Sequence, residues 1–95
     1  MSESRQLLQL SSYKPHRTLL HLRKGDSAVL EGIDLPTDDA RRLMELGFLP
    51  GAIIIAGHSA PGGDPQVFQV DGSEIALRRS TAGRLSVRTD NPRNM

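Results

Sequence analysis

Cysteine is absent from this chain of 95 residues. No disulfide can staple the fold, and no thiolate can hold a metal. The absence fits a cytosolic protein. Aromatic residues are nearly absent too: one tyrosine, two phenylalanines and no tryptophan. A surface that grips single strands of nucleic acid stacks bases on several exposed rings, and Tyr13, Phe48 and Phe68 are too few for that. Long apolar runs are missing as well. The longest, Ala52 to Ala56, falls far short of the roughly 20 residues that cross a bilayer. The opening Met1-Ser2-Glu3-Ser4-Arg5 lacks the basic-then-apolar order of a secretory signal.

A dominant charge is lacking; the net value is +1. Its distribution is uneven. Arg5, Lys14, Arg17, Arg23 and Lys24 face only Glu3 in the first 25 residues, while the remainder is net acidic. That basic lead reads either as a solvated tail or as a contact for acidic lipid or a partner. The acidic remainder is the opposite of a nucleic-acid footprint, although Arg78, Arg79, Arg84 and Arg88 can line one face.

Reactive constellations are equally sparse. His58 and Ser59 are neighbours on an expected strand, so their side chains point to opposite faces and cannot act as base and nucleophile. His16, His21 and His58 are the only histidines, and neither His16 nor His21 has a carboxylate nearby in sequence; at most the three take an adventitious metal. Gly62-Gly63 lacks the lysine and helix of a phosphate loop. Asp38-Asp39 fits the start of a helix, where the macrodipole favours negative charge. The expectation is a chain without catalysis, cofactor or resident metal.

Three regions are expected: a basic extension over 1–24, partly disordered or docked, a compact domain over 25–89, and a tail over 90–95. In the extension, 5–10 can form one or two helical turns, Pro15 breaks them, and Leu19 to Leu22 can dock on the domain. Within the domain, Ser27 to Ile33 reads as a strand. Thr37 is placed to cap a helix whose buried stripe is Ala40, Leu43, Met44 and Gly47. Asp38–Arg42 and Arg41–Glu45 are spaced for ion pairs on its other face, and Gly47 for a left-handed end. Strands follow over 52–60, 66–70 and 73–77, separated by the turn formers Pro61 to Pro65 and by Asp71-Gly72. A helical turn over 78–83 and a last strand from Leu85 complete the pattern. The fold class is mainly β: a small SH3-like barrel of about five strands, with one helix after the first strand and a short helical turn before the last. If the Pro61–Pro65 turn serves recognition, deleting it should leave the fold largely intact.

The most telling stretch is Arg42-Leu43-Met44-Glu45-Leu46-Gly47-Phe48-Leu49-Pro50-Gly51. It joins a helix end to a Pro-Gly turn that starts a strand. With Ala60-Pro61-Gly62-Gly63-Asp64-Pro65, and with Ile75-Ala76-Leu77-Arg78-Arg79 followed by Ala82, it makes the chain resemble the FeoA family over roughly Val29 to Val87. The long basic lead, Gly63 in the turn and Gly83 in the last helical turn depart from the family pattern. The family is the small cytosolic accessory of bacterial ferrous iron uptake. The resemblance implies an SH3-like barrel, no catalysis, a cytoplasmic location, and association with FeoB, the membrane permease with a GTPase domain. Any membrane contact would run through that partner. A related domain occurs in iron-dependent repressors, but nothing here resembles a helix-turn-helix.

Contact candidates are Leu35, Phe48 and Leu49 with Arg78 and Arg79, since exposed apolar groups beside arginine mark protein-binding patches. Phe48 has an equal alternative, plugging the end of the barrel. A self-associating scaffold, with an exposed edge strand pairing to a second copy, and a nucleic-acid-binding barrel are the competing functions.

Overall fold

The computed structural model describes residues 17–89. Readings that fall on the first 16 residues, including the 5–10 helical turns, Tyr13, Pro15 and His16, and on the 90–95 tail lie outside them. Six antiparallel strands form one sheet in the order β1-β6-β2-β3-β4-β5. They are β1 Arg17–Thr18, β2 Ser27–Ile33, β3 Ile53–Ser59, β4 Gln66–Val70, β5 Ser73–Leu77 and β6 Leu85–Thr89. Helix α1, Thr37–Glu45, follows β2, and the single turn α2, Arg79–Ala82, precedes β6. Register shifts between Leu30 and Gly32, and between Ala56 and Ser59, bend the sheet. One core lies inside it, and Phe48, Phe68, Leu19, Leu30, Ile54, Leu85 and Val70 are its largest fully buried side chains.

The strands follow from alternation. In β3, Ile54 and Ala56 point inward while Ile53 and Ile55 face out, and in β4 Phe68 and Val70 point inward around exposed Gln69. Asp71 and Gly72 both have positive φ, 53° and 81°, which matches the hairpin twist and joins β4 to β5 in two residues. The sheet reaches further back than Gly25. β1 pairs with β6, and the 3-10 turn Leu19–His21 sends Leu19 into the core with no exposure. Leu20 and Leu22 pack against the same core, so 17–22 are docked on the barrel.

Helix α1 differs in detail from its sequence pattern. Thr37 is its first helical residue, Pro36 is the cap position, and no side chain closes that end. Ala40 and Leu43 are buried, but Met44 is 39% exposed, because a nine-residue helix lying on one side of a small barrel buries a narrow stripe. Asp38–Arg42 and Arg41–Glu45 do not pair; the ion pairs among the described residues are Arg84–Asp34 at 3.3 Å and Arg88–Glu31 at 3.7 Å. Both are well exposed and worth little. The C-terminal end is as expected. Gly47 has φ of 110°, its N–H donates to Met44 O, and the Phe48 N–H donates to Leu43 O, each at 3.0 Å. This pair of bonds is a Schellman motif, and it turns Phe48 back beneath the helix.

Candidate functional site

Helix α1 and the end of β5 form the two walls of a groove of about 440 Å³. Asp39, Arg42, Leu43 and Leu46 line one wall, at the i, i+3, i+4 and i+7 spacing of a single helical stripe. Ala76, Leu77 and Arg78 line the other. Leu35, from the loop after β2, and Thr81 of α2 complete the lining. The interior is apolar, carried by Leu35, Leu43, Leu46 and Leu77. The rim is charged, with Asp39 and the guanidinium groups of Arg42 and Arg78. Neither arginine lies within 4 Å of a described carboxylate. Such a shape offers apolar burial to a ligand and two strong donors to a carboxylate at its edge.

The candidate contacts separate in space. Leu35 and Arg78 meet in this groove. Phe48 does not reach any surface. It is fully buried, so as a contact residue it is a correction: the helix end that fixes its backbone also points its ring inward, and the barrel-plug alternative holds. Leu49 is 48% exposed but sits in a different hollow, with Ile53 and Asp71. Arg79 is exposed, and its backbone N–H donates to Asp64 Oδ1 at 3.0 Å. Leu46 and Arg42 were missed, although the stripe of 39, 42, 43 and 46 is visible in the sequence.

The Asp64 bond changes the reading of the 61–65 turn. The turn is tied across 15 residues to the first N–H of α2, directly after Arg78. It therefore supports the groove wall as well as being exposed. Asp64→Ala is expected to cost about 1 kcal/mol, the usual value of a lost helix cap, while Asp64→Asn keeps the acceptor and loses less. Urea unfolding of the two variants checks this.

The remaining polar groups are structural. His21 Nδ1 accepts the Thr18 N–H at 3.0 Å, and Thr18 Oγ1 accepts the Leu20 N–H at 3.2 Å. This closes a capping box. His58 is exposed on β3. Among the described residues, no group of three or more histidines, aspartates or glutamates is placed to hold a metal ion. No described helix is long and apolar enough to cross a membrane.

Comparison with known proteins bears on this surface. A family model described as the FeoA domain matches residues 17–89. The solution structure of a FeoA protein from Chlorobium tepidum is similar at a TM-score of 0.75 and 31% identity, over 78% of this chain and 70% of that one. The crystal structure of Stenotrophomonas maltophilia FeoA with zinc gives 0.65 and 43%, over 74% of this chain and 87% of that one. That protein is described as a prokaryotic SH3 domain protein and a candidate activating factor of ferrous iron transport. A manganese-dependent transcriptional repressor, 19% identical over 79% of this chain and 37% of its own, shares the fold alone at 0.69. No curated protein sequence matches the chain.

Proposed function

The chain belongs to the FeoA family of ferrous iron transport, and from that premise we propose that it is a non-catalytic cytosolic adaptor that binds the permease FeoB through the α1–β5 groove and modulates its assembly or transport. One observation carries the choice of surface. The groove unites an apolar interior with the guanidinium groups of Arg42 and Arg78, neither of them paired with a described carboxylate, and it contains two residues, Leu35 and Arg78, that sequence alone marks as contacts. Buried apolar anchors ringed by arginine are where binding energy concentrates in protein interfaces.

Binding to FeoB tests this, with the full-length permease in detergent and with its isolated GTPase domain. Leu35→Asp and Arg78→Glu are each expected to weaken binding at least about tenfold, equivalent to roughly 1.4 kcal/mol, with cooperative unfolding retained. Wild-type affinity in both folded variants would move the contact away from the groove. Absence of saturable binding by the wild-type chain to either form would end the adaptor reading.

Self-association is the second reading. Leu49, Ile53 and Ile55 are all at least 39% exposed around β3, an apolar surface apart from the groove. Sedimentation at rising concentration separates a self-associating scaffold from a monomeric adaptor.

A further inference from the structure

β5 is an edge strand, and its edge borders the groove. Which of its backbone groups are free follows from the hairpin. The two-residue turn makes Val70 and Ser73 the closing hydrogen-bonded pair, and hydrogen-bonded pairs then alternate along the ladder. Phe68↔Ile75 and Gln66↔Leu77 are therefore hydrogen-bonded pairs as well. Ser73, Ile75 and Leu77 direct their N–H and C=O groups at β4. Glu74 and Ala76 direct theirs away from it, and no hydrogen bond from another element of the described residues takes them up. Both residues are exposed, and Ala76 lines the groove.

We propose that the groove receives an extended segment that adds to β5 as a further strand, pairing with the main chain of Glu74 and Ala76. This deepens the adaptor reading and rests on it: the occupant is a segment of the permease's cytosolic part. Its chemistry follows from the two walls. In an added strand, side chains alternate at about 6.8 Å for every second residue. One set enters the apolar interior formed by Leu35, Leu43, Leu46 and Leu77. A carboxylate beside that set meets Arg42 and Arg78, which have no ion-pair partner among the described residues. The backbone bonds give affinity, the apolar positions and the acidic residue give selectivity, and the charge complementarity excludes a basic segment. A second copy of this chain is the competing occupant: an antiparallel β5–β5 pairing centred on Ala76 sets Glu74 of each copy opposite Arg78 of the other.

Hydrogen exchange with single-residue resolution, on the full chain with and without full-length FeoB in detergent, tests the pairing directly. The Glu74 and Ala76 amides are expected to exchange readily in the free chain and at least tenfold more slowly in the complex. Ser73, Ile75 and Leu77, which face β4, are expected to be protected in both. Ala76→Pro supplies the second arm. The Ala76 N–H points away from β4, so the ring lies where an edge strand accepts proline and where an added strand must sit. The folded variant is expected to bind FeoB at least tenfold more weakly.

Three results would overturn the proposal. One is unchanged exchange at Glu74 and Ala76 in a complex that does form; the adaptor reading would survive it. Another is wild-type affinity in a folded Ala76→Pro chain. The third is protection of the two amides on raising the concentration of this chain alone, which gives the edge to a second copy. If the wild-type chain does not bind FeoB at all, this proposal and the adaptor reading fall together.

Discussion

Phe48→Ala is expected to lower the stability of the chain by about 3–5 kcal/mol, the range for truncating a fully buried aromatic ring. The ring is wholly enclosed and shares its core with Phe68, Leu43 and Ile54. A small domain has few other buried side chains to compensate, and total stabilities of about 5–15 kcal/mol are usual. Chemical unfolding followed by circular dichroism should show a large fall in midpoint or no cooperative transition. The damage should extend to α1, because the Phe48 N–H closes that helix on Leu43 O and its ring sits beneath it. A polar change at Phe48 therefore reports on folding, and a loss of FeoB binding in Phe48→Asp would not locate the contact surface. An unfolding free energy within about 0.5 kcal/mol of wild type, the usual scatter of surface substitutions, would contradict the buried placement.

A chain that begins at Gly25 should not fold cooperatively, whereas one that begins at Arg17 should. The difference is eight residues, but they carry Leu19, which is fully buried, and β1, which covers the edge of β6. Truncating a buried leucine to alanine alone costs about 2–5 kcal/mol. Removing the segment also takes Leu20 and Leu22 off the core and exposes the edge groups of β6. Thermal unfolding of the two chains settles the comparison. Equal midpoints would make 17–24 an appendage.

Much of this architecture was readable because each element carries its own signal. β2, β4, β5 and α2 fall where alternation, turn formers and helix punctuation put them. β1 was missed as a strand because two residues cannot show alternation, and it exists only because β6 offers it an edge. The exposure of Met44 depends on how far α1 is rotated toward the barrel, which pattern alone leaves open. Phe48 was the readable miss. An apolar residue directly after a helix-ending glycine commonly packs back on the last turn, which favoured the barrel-plug alternative. The groove could not be read. It exists because Leu35 and the 39–46 stripe are brought against 76–78, and that juxtaposition is a product of the tertiary fold.

The strand order has a consequence for how the protein is made. β6 lies between β1 and β2, and its Ser86 side chain reaches Gly32 O across 54 positions of sequence. Residues 17–77 can emerge from the ribosome with the β3–β4–β5 meander already paired, but β1 then has no strand to join and β2 is open on one side. The sheet is sealed only when residue 89 is free. Long-range pairing of this kind slows folding and leaves strand edges unprotected in the interval. Until β6 arrives, the nascent chain therefore carries an open β2 edge and an unburied Leu19.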